Sequence, residues 1–236
     1  MISDGTRKRK RPKRKANLPH KSRLYHNLVP AYQAVWPAVA RKRISDAVSA
    51  LEIPKNASVL EVGIGTGLSI ESYPENVQLT GVDLSESMLA EAQQSIQDND
   101  WHHVNVMPMN AENLEFPDSS FDFVTSFHTI TVVSDPVKMM SEIVRVCRPG
   151  GRILIINHFR SDNPLIAKVV DSAGNITKHL GWWTDLDFDE VVRELPLTQD
   201  HRYKPNPLSL FTVMQATCSK PDCQNDFSSM HVMATD

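Results

Sequence analysis

The stretch VLEVGIGTGLS, residues 59–69, sets three glycines at alternate positions directly behind a run that reads as a β-strand. In an open α/β sheet the first strand-to-helix turn faces the ligand, and glycine there lets backbone N–H groups approach it with no Cβ in the way. Gly63, Gly65 and Gly67 therefore read as the cradle of a small-molecule cofactor. A purely structural turn needs one such residue, or two. The spacing excludes one cofactor class, because a dinucleotide fingerprint has its third glycine three residues after the second and position 68 is Leu.

The rest of the chain supports the same architecture. SVLEV (58–62), VQLTGVD (77–83), HVNVMPM (103–109), FDFVTSF (121–127) and GRILIIN (151–157) are apolar strand patterns. Between them, residues 85–97 have helical periodicity with Ser85 as N-cap, and residues 135–147 are helical before an RPGG turn at 148–151. Helical patterns at 164–180 and near 188–195 precede a closing strand, SLFTVMQATC, at 209–218. Such alternation predicts an α/β fold, a doubly wound and mostly parallel sheet with helices on both faces. Leu24, Leu28, Tyr32, Val35, Trp36, Val39, Val48 and Leu51 recur at spacings near three and four, but Pro30 and Pro37 break the run into two or three short helices.

Asp83 ends the second strand, 16 residues past Gly67, where a carboxylate can accept both hydroxyl hydrogens of a ribose. The same position also suits a plain helix N-cap, and only the glycine loop upstream favours the ribose.

Composition narrows the setting. The 236 residues are 41% apolar, enough for one large domain, and no apolar run reaches the 18 or so residues needed to cross a bilayer. Cys147, Cys218 and Cys223 are too few and too unevenly spaced for a disulfide framework or a zinc site. The expectation is a cytoplasmic protein without a metal. Residues 1–15 hold eight basic residues and one acid, which leaves 17 basic against 27 acidic residues elsewhere, a net charge of −10. A basic arm on an acidic body suits a polyanion: nucleic acid, an import receptor or an anionic membrane surface. A solvated tail without a partner has the same signature. The organisation expected is a disordered arm (1–17), a helical lid or membrane-facing segment (18–54), the main domain (55–219) and a flexible tail (220–236).

Four ordered motifs resemble the class I S-adenosylmethionine-dependent methyltransferases: Glu61-x-Gly63-x-Gly65-x-Gly67, the strand ending in Asp83, NAENLEFPDSSFDFV (110–124) and EIVRVCRPGGRILI (142–155). The resemblance implies a Rossmann-like, seven-stranded sheet and S-adenosylmethionine as cofactor. By position it puts Glu61 and the glycine loop at the methionine end, Asp83 at the ribose, Leu84 and Met88 beside the adenine, and Asn110, Ala111 and Glu112 at the adenine edge. Asn110 stands where many relatives have aspartate, and an amide oxygen still accepts from an amino group.

A second set of motifs, YHNLVPAY (25–32), TITVVSDP (129–136), INHF (156–159) and LGWWTDLDFDE (180–190), is similar to bacterial phospholipid N-methyltransferases, which carry phosphatidylethanolamine toward phosphatidylcholine. Ubiquinone and menaquinone methyltransferases share several of these, so the alternative is a methyltransferase acting on a quinone precursor or another small molecule. The phospholipid resemblance implies that Tyr25 and Tyr32 belong to a segment closing over the cofactor. An ethanolamine acceptor is an ammonium at neutral pH and must lose a proton before it can attack. His128 and His158, at the carboxyl ends of two strands, are candidate acceptors of that proton, and each is equally a structural histidine. Tyr25 and Tyr32 are alternatives that would hold the amine by oxygen and ring-face contacts. Asn157, His158 and Arg160 are the candidate substrate contacts, with Arg160 the nearest cation for a phosphodiester and Arg202 and Lys204 weaker choices. The partners expected are a phospholipid substrate and an anionic membrane met through the basic arm. A nucleic-acid binder with a degenerate cofactor fold is the remaining class, and an acidic body without interleaved basic and aromatic residues argues against it.

Overall fold

The computed structural model describes residues 40–158, 186–205, 209 and 211–221. The basic arm, Tyr25, Tyr32, Arg160 and the helical pattern at 164–180 lie outside the described residues, as does nearly all of the tail. Seven strands form one sheet: β1 (Ser58–Val62), β2 (Gln78–Asp83), β3 (Val104–Pro108), β4 (Phe121–Phe127), β5 (Cys147–His158), β6 (Leu197–Tyr203) and β7 (Phe211–Cys218). Their order is β3-β2-β1-β4-β5-β7-β6, with the first five parallel and β7 antiparallel to both neighbours. Helical backbone over 40–49 (α1), α2 (Glu86–Asp98), α3 (Pro136–Val146) and a short α4 (Phe188–Val192) pack on the sheet.

Both faces are covered, so the central strands carry near-continuous apolar runs. Leu60, Val62, Val124, Ile153 and Ile155 face a cluster built with Met139, Met140, Ile143 and Val144 of α3 and Phe188 and Val191 of α4. Val59, Phe123, Phe127, Leu154 and Ile156 face the other cluster with Ile44, Ala47, Val48 and Leu51 from the first described residues and Leu89 and Ile96 of α2. Each such side chain contributes on the order of 1.5–3 kcal/mol. The helices begin as their sequences dictate: Ser85 Oγ accepts from the Met88 N–H, and Asp135 caps α3 with Pro136 in the first turn.

Two local expectations change. RPGG does not end a helix and open a separate strand; it lies within β5, where the pairing jumps from Phe121↔Cys147 to Phe123↔Arg152 and Gly150 has φ +73°. The extra residues are taken up as an irregularity of the ladder. β6, LTQDHRY, has no apolar alternation because it is the solvent-facing edge strand, and its charges keep that edge from pairing further.

Candidate active site

The carboxyl ends of β1, β2, β4 and β5 and the loops that leave them make the ligand-facing edge of the sheet. Gly63, Gly65 and Gly67 come after β1 with φ of +83°, +56° and +79°, a region that side chains rarely adopt. Their N–H groups are spent within the protein: Gly63 donates to the Val82 carbonyl, Gly65 to Asp83 Oδ2 and Gly67 to the Ile64 carbonyl. This corrects the expectation that these three donors face a ligand. What the glycines give instead is close approach, since a Cβ at Gly63 would overlap the Thr129 side chain, and one at Gly67 would meet Ile70 and also Ala92 of α2.

Asp83 organises the turn. Its Oδ2 accepts from the Gly65 N–H and its Oδ1 from the Ser85 N–H, both at 2.9 Å. Each oxygen keeps acceptor capacity for a diol. Beside it, Leu84 is 74% and Met88 46% exposed, an apolar pair left open to solvent. Across the edge, Asn110 Oδ1 accepts from the Glu112 N–H, while Glu112 Oε1 accepts from the N–H groups of Ser134 and Asp135. The Glu112 carboxylate thus ties the loop after β3 to the loop after β4. Arg145 anchors the same stretch from behind. Its guanidinium donates to Glu142, Asp118 and the carbonyls of Leu114 and Phe116, so that the loop over 114–118 is clamped onto α3. These partners raise the Arg145 pKa, the Glu142 carboxylate contributing most.

Glu61 is only 2% exposed and lies beneath the glycine loop, accepting from Ser69 Oγ and the Tyr73 hydroxyl, which in turn meets Thr125. Burial pushes its carboxyl up to about 7, the hydroxyls of Tyr73 and Ser69 restrain the shift, and the Asp83 charge adds to it. A raised folded-state value means that the folded protein holds this proton more tightly than the unfolded chain. The stability it supplies is therefore complete below about 4.5 and is lost as pH climbs through about 7. The loss is on the order of 3 kcal/mol. Glu61→Gln keeps the shape without the ionisation, and urea midpoints measured from pH 5 to 8 are expected to fall less for the variant than for the parent; parallel curves would refute the account.

On the acceptor side, His128 comes directly after β4 in the left-handed region, φ +61°, with its N–H on the Ile156 carbonyl and its ring edge-to-face on Phe211 at 4.9 Å. Asn157 is buried and its side-chain oxygen accepts from Thr131 Oγ1, which fixes the loop after β4 against β5. His158 is the last residue of β5 and pairs in register with Phe211. Arg202 is engaged elsewhere, its guanidinium 2.7 Å from Asp189 of α4. One residue that no sequence motif marks joins this edge: Arg43 of α1 stacks over the Phe211 ring, 4.0 Å from its centroid. Val132 and Val137 leave exposed apolar surface in the stretch after β4. Among the described residues there is no helix able to span a membrane and no group of three metal-ligating side chains.

The family described as "Methyltransferase domain" (Methyltransf_11) matches residues 60–155. The phosphatidylethanolamine N-methyltransferase of Cereibacter sphaeroides is 36% identical over 162 residues, a span that takes in 68% of this chain and 80% of that protein. The chain belongs to the class I S-adenosylmethionine-dependent methyltransferases. A demethylmenaquinone methyltransferase of Listeria welshimeri is 28% identical over 151 residues, 60% of this chain and 64% of its own length. The crystal structure of a SAM-dependent methyltransferase from Aquifex aeolicus superposes with a TM-score of 0.58 at 18% identity, over 77% of this chain and 98% of that one, and shares the fold. As a methyltransferase the protein uses S-adenosylmethionine, and the edge suits it: a carboxylate for a diol, a bare turn for close approach and an open apolar pair for a ring.

Proposed function

We propose that this methyltransferase transfers methyl groups to the amine of phosphatidylethanolamine, toward phosphatidylcholine, at an anionic membrane surface. The observation that carries the reading is the 36% identity to the Cereibacter sphaeroides phosphatidylethanolamine N-methyltransferase across four-fifths of that protein. The basic arm supports it, because each Lys or Arg near an anionic surface contributes about 1 kcal/mol, and eight give salt-sensitive recruitment.

In this reading Asp83 takes the ribose hydroxyls, Leu84 and Met88 cover the adenine, and Asn110, Ala111 and Glu112 line its edge. Glu61 serves the methionine end from below, through the loop it supports. Bound there, S-adenosylmethionine supplies a methyl group already activated for displacement. The protein's work is then alignment, exclusion of water and removal of the ammonium proton. Of the two candidate proton acceptors, His128 and His158, the role is assigned to His128, whose ring packs on Phe211, and Tyr25, Tyr32, His158 and Arg160 are proposed to complete the acceptor pocket with Asn157.

Expression in a bacterial host that makes no phosphatidylcholine tests this. Methylated phosphatidylethanolamines are expected in the lipid extract, and fewer of them when residues 1–15 are removed. Unchanged lipids from a protein that binds the cofactor would overturn the reading, and rescue of a quinone-methylation mutant would replace it with the activity named for the Listeria relative.

A further inference from the structure

A guanidinium placed over a phenyl ring has its plane covered but its in-plane donors unanswered, because the ring face offers no lone pair. One nitrogen of Arg43 is in that situation. Its Nη1 is buried and finds no hydrogen-bond acceptor among the described residues, and its salt-bridging neighbours on α1, Lys42 and Asp46, are occupied with each other. Leaving a charged donor buried without an acceptor is costly, and an anionic ligand that reached Nη1 would remove that cost.

The position of the ring says which ligand could bring one. Phe211 opens β7, and because β7 runs antiparallel to β5 its first residue lies at the carboxyl end of β5, opposite His158. The same ring makes a T-shaped contact with His128, the first residue after β4. Arg43 and the proposed proton acceptor therefore share one aromatic support at the acceptor side of the edge, away from Asp83 and Leu84 at the end of β2.

We propose that Arg43 binds the phosphate of the acceptor, its guanidinium held over Phe211 so that Nη1 points an unpaired donor at the phosphodiester while His128 serves the amine. The assignment rests on the phospholipid reading and sharpens it. A guanidinium suits a phosphate by geometry, offering paired N–H groups to paired oxygens. It would give such an enzyme a means of preferring a headgroup with a phosphodiester over an acceptor without one. A lysine would keep the charge without the planar fork or the ring stacking.

The test uses the full chain with dihexanoyl phosphatidylethanolamine as acceptor, and calorimetry of glycerophosphoethanolamine binding to the cofactor-free protein. For Arg43→Gln the KM for the lipid is expected to rise on the order of ten- to a hundredfold, with the KM for S-adenosylmethionine unchanged. Glycerophosphoethanolamine binding is expected to vanish, and Arg43→Lys to fall between the two. An unchanged lipid KM in Arg43→Gln would overturn the assignment while leaving the phospholipid reading in place. An equal loss of affinity for lipid and cofactor would also overturn it, since that is the mark of a structural role. If Arg43→Gln does not fold, Arg43→Lys with parental thermal stability must still raise the lipid KM severalfold, and parental kinetics in it refute the proposal. Absence of lipid methylation by the parent protein would bring down the phospholipid reading and this assignment together.

Discussion

Replacing Asp83 with alanine is expected to weaken S-adenosylmethionine binding on the order of a hundredfold, because two kinds of interaction end at once. The carboxylate is the proposed acceptor for the ribose diol, and it also accepts the N–H groups of Gly65 and Ser85 that shape the turn and start α2. Asparagine is the more informative substitution. An amide has one oxygen and one NH2 group, so whichever way it turns, one of the two backbone N–H groups faces a donor instead of an acceptor. Asp83→Asn is therefore expected to lose nearly as much affinity as Asp83→Ala. Calorimetric titration with the cofactor would measure both, and near-parental binding by Asp83→Asn would mean that the charge-assisted bridge to the loop does not matter.

The glycine loop gives the second large effect, and its three positions should not behave alike. Alanine in the left-handed region costs about 1–2 kcal/mol at any of them. At Gly65 little more is added, since the nearest atom to the new Cβ is Met88 Sδ at 3.8 Å. At Gly67 the methyl would press on Ile70 Cδ1 at 2.7 Å and on α2 at Ala92. At Gly63 it would overlap Oγ1, Cγ2 and Cβ of Thr129, none further than 2.7 Å, and the turn or the loop after β4 must move. Melting temperatures are expected to fall most for Gly63→Ala, less for Gly67→Ala and least for Gly65→Ala. Because the clash belongs to a pair, Thr129→Gly should return part of the loss of Gly63→Ala while leaving the backbone strain, a coupling that a double-mutant cycle reads directly. Equal losses at all three positions would refute the steric ranking.

Much of this architecture is legible in the chain because the fold writes itself in local patterns. SVLEV and FDFVTSF lie in a sheet covered on both faces, so burial at successive positions leaves visible runs of apolar residues. LTQDHRY lies at an edge where water does not require such a run, and nothing local marks it as a strand. The candidate site divides in the same way. Asp83 and the glycines are legible because a turn and a strand end constrain residue type within a few positions. Arg43 is not, since a single arginine in a helical repeat looks like any solvated charge. Its meaning depends on a phenylalanine 168 residues later that reaches it only through the order of the strands. Glu112 shows the limit in another form: the resemblance suggests a place at the adenine edge, but only the folded chain shows its carboxylate joining two loops.

The strand order also carries a consequence for how the molecule is made. β7 is the last of the described strands, yet it sits between β5 and β6 and supplies hydrogen bonds to both. During synthesis the run from β1 to β5 can pair as it emerges, whereas β6 has no neighbour until residues 211–218 have left the ribosome. The ring on which Arg43 and His128 meet arrives with those residues. The place where acceptor specificity is proposed to reside is therefore completed only when the last described strand joins the sheet.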